Sequence, residues 1–466
     1  MTIEPASRTE SDYLGPVVLP AEGLHGVHTV RGLLNLTVSD RPFGAEREFV
    51  RAFAHCKWAA ALANRDLGRL TGAQADALVS ACREMADGAL DRCFVVDLME
   101  GSGGTSTNMN VNEVLANRAQ QILGGSIGRY DLLHPNDHVN CSQSTNDVYP
   151  AALKIALHQL LQPLADELVE LAQAFSDKAQ AFASILHLGR TCLQDAQPML
   201  LGQVFGGYET VTRRLARAVT ESRSSLLSLP LGGTAIGTGF GAPAGYKTAV
   251  YAHLRSITGV PYEQAADPFD GMQNLDTFAR VSGELRTVAT SLAKIASDLI
   301  ILSSGPQGGI GEVVLPAVQA GSSMMPGKIN PVIPMSMVQI GFAVLGNDVC
   351  IAQVNQAGQL EINHFEPLVA HRMFDSVGLL TRGVSSFTAR CVRGLQAHEA
   401  ANESHVLQSS AVATALVPKL GYGAVSRLVR QSVVAGRPFI EMLESEALLE
   451  RRDAHQLIRA AARVVE

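Results

Sequence analysis

Apolar residues recur along the middle of the chain in alternating steps of three and four. One stripe runs Leu153, Leu157, Leu160, Leu164, Leu168, Leu171, Phe175, with Pro163 inside it. A second runs Val204, Tyr208, Val211, Leu215, Ala218. The third is the most regular: Phe278, Val281, Leu285, Val288, Leu292, Ile295, Leu299, Leu302. A fourth runs Val377, Leu380, Val384, Phe387, Cys391. This spacing puts each set on one face of a helix, and Pro163 predicts a kink in the first. Stripes this long exceed the dozen or so residues of an ordinary globular helix and predict near-parallel packing in a bundle. Residues 46–70 and 71–86 also read as helices, and the first forty residues as an extended, turn-rich opening. From about residue 400 the pattern is of short helices broken by Gly421-Tyr422-Gly423 and Pro438. The expectation is an all-α protein. A central long-helix bundle covers residues 144–399, flanked by a smaller N-terminal domain, 1–143, and a small C-terminal helical domain, 400–466.

Composition sharpens this picture. Apolar residues make up 47% of the chain and aromatics only 5%, so Ala, Leu and Val must fill the core, which suits packed helices. A net charge of −7 offers no basic face for nucleic acid. Anionic ligands must therefore be held by local donors. The seven cysteines form no Cys-x-x-Cys pair and their number is odd, which argues against a disulfide framework or a structural zinc site. Residues 1–13 are polar and acidic, without the apolar core of a signal peptide. No uninterrupted apolar run approaches the ~20 residues that span a bilayer. A cytoplasmic protein without a membrane partner is expected.

Between the stripes lie Gly-rich polar stretches at 101–112, 134–150, 188–198, 231–245 and 303–330. Some imitate cofactor sites. Gly237-Thr238-Gly239-Phe240-Gly241 resembles half of a dinucleotide fingerprint, but no strand precedes it and no acidic residue follows at the required distance. The run from Gly321 to Lys328 has glycines one residue too far apart for a phosphate loop, and Ile329 stands where a hydroxyl should bind magnesium. His134 and His138 are spaced like a zinc pair, but Pro135 favours a loop and no third ligand is evident. No metal and no cofactor is expected.

Taken together, the polar loops suit a small dicarboxylate. Thr105, Ser106, Thr107 and Asn108 lie on a glycine-rich turn whose amides could approach a carboxylate. Ser144, Thr145 and Asn146 precede the first long helix, where hydroxyls and amides suit an anion. Taken alone, that stretch is better read as a helix N-cap. Arg190-Thr191-Cys192 stands in a corresponding place before the second stripe, and Lys328 and Asn330 lie in a fourth loop.

These residues carry a resemblance. Residues 321–331, Gly-Ser-Ser-Met-Met-Pro-Gly-Lys-Ile-Asn-Pro, match at every specified position the signature loop of the aspartase/fumarase superfamily, Gly-Ser-Ser-x-Met-Pro-x-Lys-x-Asn-Pro. Residues 104–113, 134–150 and 189–198 resemble its other conserved blocks, so the similarity covers nearly the whole chain. Within the superfamily the chain looks most like the aspartate ammonia-lyases, on Asn330-Pro331-Val332-Ile333-Pro334 and Ala357-Gly358-Gln359-Leu360-Glu361-Ile362-Asn363. Tyr13-Leu14-Gly15 and Gly26-Val27-His28-Thr29 also match that group.

The resemblance implies elimination of ammonia or an amine from aspartate or a close analogue, releasing fumarate through a doubly charged aci-carboxylate intermediate. By position Ser322 corresponds to the serine base. Thr105, Ser144, Thr145 and Ser323 match residues that cradle the carboxylate where charge builds. Thr191, Lys328 and Asn330 match those that hold the other carboxylate, and Asn146 the amide near the leaving amine. The resemblance also implies a homotetramer whose active sites are shared between subunits. Cys192 stands where relatives carry a substrate-contacting His or Gln, and Met335 where they carry Glu, which pairs with that His in fumarases. Loss of both disfavours the first alternative, fumarase-type hydration to malate. Ile300 and Gln307 replace arginines usual in aspartases, and nothing in the sequence explains them. A second alternative, a non-catalytic structural homologue, is opposed by the intact Ser322, Lys328 and Asn330.

Overall fold

The computed structural model describes residues 6–463. The first five residues of the polar opening stretch therefore lie outside the described residues. Helix dominates, at 63%. Among the described residues, strands occur only as two-stranded ribbons. Helices α1 (Val27–Leu36), α2 (Arg47–Asp66), α3 (Gly72–Ala86) and α4 (Thr105–Ile122) precede the 37-residue α5 (Thr145–Ala181). Then come α6 (Leu201–Ser222), α7 (Tyr246–Thr258), α8 (Pro268–Gln273), α9 (Asp276–Leu302), α10 (Val332–Gln356) and α11 (Glu366–Phe387). The short helices α12 (Glu399–Gln408), α13 (Val417–Leu420), α14 (Tyr422–Ala435), α15 (Phe439–Ser445) and α16 (Arg451–Ala461) follow. Ribbon β1–β2 (Ser7–Asp12, Gly15–Pro20) gives structure to the turn-rich opening, and β3–β4 (Leu186–Thr191, Gln194–Leu200) links α5 to α6.

The third and fourth stripes face inward along their full length, each member at most 9% exposed. In the first, Leu160 is half-buried and Leu161 takes its inward place, while α5 runs unbroken through both Pro150 and Pro163. In the second, Val204 and Val211 are half-exposed, and Phe205, Thr212 and Val219 are buried beside Tyr208 and Leu215. Helix α10 carried no stripe. It is apolar all round, and Met335, Phe342, Leu345 and Val349 are exposed at 43%, 70%, 41% and 55%. By length and composition it is the one described helix that could cross a membrane, a test that buried bundle helices also pass. Its polar residues are paired with neighbouring helices. Asn347 donates to Asp375 and Ser376 of α11, and Asp348 accepts from Ser282 and Arg286 of α9.

The chain divides into two compact units, one of residues 1–164, 218–286 and 343–379, the other of 165–217, 287–342 and 380–466. The first has an aromatic centre in which the ring of Phe49 lies 5.1–5.3 Å from those of Phe43, Phe53, Tyr149 and Phe374. Its α3 begins with a capping box, Thr71 and Gln74 each bonding the other's backbone N–H. Its α4 is buried although polar. Asn110, Glu113, Asn117 and Gln120 use their side chains to hold loop backbone, as when Glu113 accepts the N–H groups of Gly26, His28 and Thr29 at the start of α1. In the second unit, Leu186 and Leu188 of β3 share one apolar core with Val406, Leu428, Ile440, Leu443 and Ile458 of the C-terminal helices.

Candidate functional site

The first unit holds Thr105, Ser144, Thr145 and Asn146, and the second holds Thr191, Cys192, Ser322, Ser323, Lys328 and Asn330.

Thr105 is the first residue of α4 and is exposed. Gly104 before it has φ +90°, and a Cβ there would lie 2.5 Å from the ring of Tyr149, so only glycine fits. The amides read from sequence as a carboxylate site are already occupied. Ser106 N and Thr107 N donate to Glu100, as does the Thr107 hydroxyl. Glu100 thus supplies the anion that this helix start favours. Asn108 faces inward and is buried.

The start of α5 serves both as a cap and as a candidate site. Ser144 Oγ accepts Asn146 N at 3.3 Å, while Asp147 Oδ1 accepts Ser144 N at 2.8 Å. The other oxygen of Asp147 accepts Gly232 N and Thr234 N, pinning the 231–245 loop. Asn146 Nδ2 donates to Ala235 O in the same loop. Burial pushes the Asp147 carboxyl up to about 6, against the three amides and the nearby Lys57 ammonium. Burial likewise pushes the Lys57 amine down to about 7, with Asp147 opposing. Lys57 lies on the inner face of α2, is 2% exposed, and donates to Asn140 Oδ1 at 3.2 Å. Sequence reasoning missed Lys57 and Asn140. The available signal was a lysine among the apolar residues Cys56, Ala59 and Ala60, because a buried amine requires a partner.

In the 303–330 loop, Gly321 N donates to Lys328 O and Asn330 Nδ2 donates to Gly321 O, both at 2.7 Å. The two ends of the signature loop close there. A Cβ on Gly321 would meet Asn330 N at 2.7 Å and Lys328 O at 2.8 Å. Inside the closure Ser322 Oγ accepts Met324 N at 3.1 Å and Met325 N at 2.9 Å. An ordinary serine turn makes such bonds. They are also what a serine alkoxide needs, two fixed N–H donors on the oxygen that carries the charge. Ser323 and Lys328 are exposed, as are Met324 and Met325 between them.

Thr191 closes the β3–β4 hairpin opposite Gln194. The two turn residues, Cys192 and Leu193, both adopt left-handed backbone, with φ +54° and +61°. That turn type prefers Asn-Gly, so the hairpin tip is strained in the way binding loops often are. Cys192 is exposed rather than buried as core filling, and Met335 is exposed as well. Arg190 points away from the tip and makes a two-bond pair with Glu312, which also accepts from His405. Glu312, Asn402 and His405 had no sequence signal. His134 and His138 each use Nδ1 to accept backbone N–H within a π-helical turn, Pro135–Val139.

A family model described as Lyase matches residues 15–346. The chain belongs to this lyase family. Aspartate ammonia-lyase of Pseudomonas canavaninivorans is 42% identical over 97% of this chain and 96% of its own. That of Helicobacter pylori is 38% identical over 97% of both, and that of Bacillus subtilis 40% over 95% and 93%. Among solved structures, a fumarate lyase:delta crystallin from Brucella melitensis superposes with a TM-score of 0.95 at 39% identity, covering 98% of this chain and all of that one. A class II fumarase from Schistosoma mansoni gives 0.92 at 31%, over 98% and 99%. The lyase-family fold is thus the all-α, long-helix fold that the stripes led us to expect.

Proposed function

We propose that this protein is a carbon–nitrogen lyase that converts L-aspartate, or a close analogue, into fumarate and ammonia or the corresponding amine. The observation that carries the reading is Ser322, its Oγ held by two backbone amides inside a closed, fully matching signature loop. In this scheme the Ser322 alkoxide takes the proton from Cβ, beside the far carboxylate. The electron pair moves into that carboxylate, giving the aci-carboxylate. Its collapse forms the carbon–carbon double bond and breaks the Cα–N bond. Donors aimed at the carboxylate where charge builds lower the barrier most. We assign Thr105, Ser144, Thr145 and Ser323 to that carboxylate, Thr191, Lys328 and Asn330 to the other, and Asn146 to the amine. Cys192 at the hairpin tip borders the substrate. The step moves one proton and one leaving group, so it requires no redox carrier.

The same proposal includes a cytoplasmic homotetramer with active sites built from more than one subunit. The exposed apolar residues of α10 support it, since a face of Met335, Phe342, Leu345 and Val349 gains stability only when another copy covers it. The test is growth of fumarate's ultraviolet absorbance on adding L-aspartate, with malate and N-substituted aspartates in parallel. Rapid growth with aspartate supports the assignment. No fumarate from any amine-bearing substrate overturns it, and fumarate from malate alone makes the protein a fumarase.

A further inference from the structure

Thr145 is a hydroxyl of the candidate site whose oxygen takes its hydrogen bond from a buried side chain, whereas Ser144 and Ser322 take theirs from backbone amides. Its Oγ accepts from Asn108 Nδ2 at 3.0 Å, and among the described residues no group accepts its proton. One lone pair is therefore occupied, and the O–H is left to donate outward. A carboxylate accepts only, so it needs this direction and no other.

The direction depends on Asn108, whose amide group can sit either way round. Both N–H bonds of its Nδ2 are used, one to Thr145 and one to Asn140 Oδ1 at 3.1 Å. The reversed amide would bring Asn108 Oδ1 against Asn140 Oδ1. Reversal is blocked only while Asn140 itself is fixed. Asn140 is held at both ends, its Nδ2 donating to Gln143 O at 3.3 Å and its Oδ1 accepting from Lys57 Nζ at 3.2 Å. Asn112 Nδ2 also donates to that oxygen, at 3.2 Å. If Asn140 turned over, its N–H groups would face the donors of Lys57. The arrangement has a cost, since Asn108 Oδ1 and Asn112 Oδ1 are buried without partners. Lys57 is a donor whether its amine is charged or neutral, so its lowered pKa leaves the arrangement intact.

We propose that Lys57 is a positioning residue that acts through Asn140 and Asn108 to keep the Thr145 hydroxyl a hydrogen-bond donor toward the substrate carboxylate. The inference rests on the lyase reading and adds residues that do not touch substrate.

Its test is a double-mutant cycle on kcat/KM for L-aspartate. Thr145→Val removes the hydroxyl and should lower kcat/KM about 10²-fold, as loss of one such donor does. Asn108→Asp places an oxygen opposite Thr145 and turns its proton inward, and should cost a similar factor. If Asn108 acts through Thr145, the two changes together cost little more than one alone. Multiplied losses, or Asn108→Asp at near wild-type rate, overturn the proposal. Lys57→Met should lower kcat/KM about tenfold, again without further loss in the Thr145→Val background. Lys57→Gln, whose amide restores a donor to Asn140, should recover most of that. Equal rates for the Met and Gln variants overturn the role of Lys57, and this pair decides the matter if Asn108→Asp does not fold. A wild-type protein that makes no fumarate sinks the lyase reading instead.

Discussion

Replacing Glu312 by Gln tests how the loop that carries Ser322 is anchored. The Glu312 side chain is fully buried and receives Arg190 through two bonds of 2.9 and 2.7 Å, with His405 Nδ1 at 2.7 Å and His187 Nδ1 at 3.4 Å. Its backbone joins the same knot, taking His398 N and Asn402 Nδ2 on its carbonyl and giving its N–H to Leu302. One residue therefore ties the end of α9, the hairpin bearing Thr191, and α12. Gln keeps the shape but removes the charge and turns one acceptor into a donor facing Arg190 or His405. Unpairing one side of a buried ion pair costs about 3–5 kcal/mol. Arg190 is 17% exposed and regains some water, which favours the lower end, ~3 kcal/mol. Urea unfolding at neutral pH should show that loss, and amide exchange in α12 should quicken about 100-fold where exchange reports local opening. The pH dependence has a definite sign. Burial raises the Glu312 carboxyl, but Arg190, His187 and His405 outweigh it and hold it below the ordinary value of 4.5. Its stabilisation is complete above 4.5 and disappears as pH falls through the lowered value. The gap between wild type and variant should thus close in acid. A neutral-pH gap below ~1 kcal/mol, or one that persists unchanged in acid, refutes the reasoning.

Ser322→Ala should abolish turnover while leaving the assembly mass unchanged, and full activity in that variant would remove Ser322 as the base. Phe342→Glu puts a charge on the exposed apolar face of α10, where burying each Phe contributes about 1.5–3 kcal/mol. Light scattering should report species smaller than the proposed tetramer, and an unchanged mass would contradict the proposed interface. Gly104→Ala forces a Cβ to within 2.5 Å of the Tyr149 ring at φ +90°, and should destabilise by about 2–4 kcal/mol in urea unfolding. Leu193→Gly relieves a left-handed backbone at φ +61° and should stabilise by up to ~1 kcal/mol. A lower unfolding midpoint would count against strain at that tip.

What could be read from sequence depended on whether each residue's partner lay nearby in the chain or was solvent. The stripes of α9 and α11 were legible because each helix has one inward face, so the 3.6-residue period survives in the sequence. Helix α10 was invisible to the same reading for an opposite reason. Its inner side packs through Met337, Val344 and Ile351 while Phe342 and Val349 stay exposed, so apolar residues surround the axis and leave no period. The signature loop was legible because its closure, Gly321 to Lys328 and Asn330, is local. Glu312 pairs with Arg190 across 122 positions and with His405 across 93, and no motif signals such a pair. The polar run of α4 presents the harder problem. Thr107 and Asn108 read as part of a carboxylate site, yet Thr107 serves Glu100 and Asn108 serves Asn140; one turn on, Asn110 serves the backbone at Cys93 and Val95, and Asn112 serves Asn140. A polar side chain that meets substrate and one that orients its neighbour are made of the same residue types. Only the third dimension separates them, and at Asn108 the two roles lie one hydrogen bond apart.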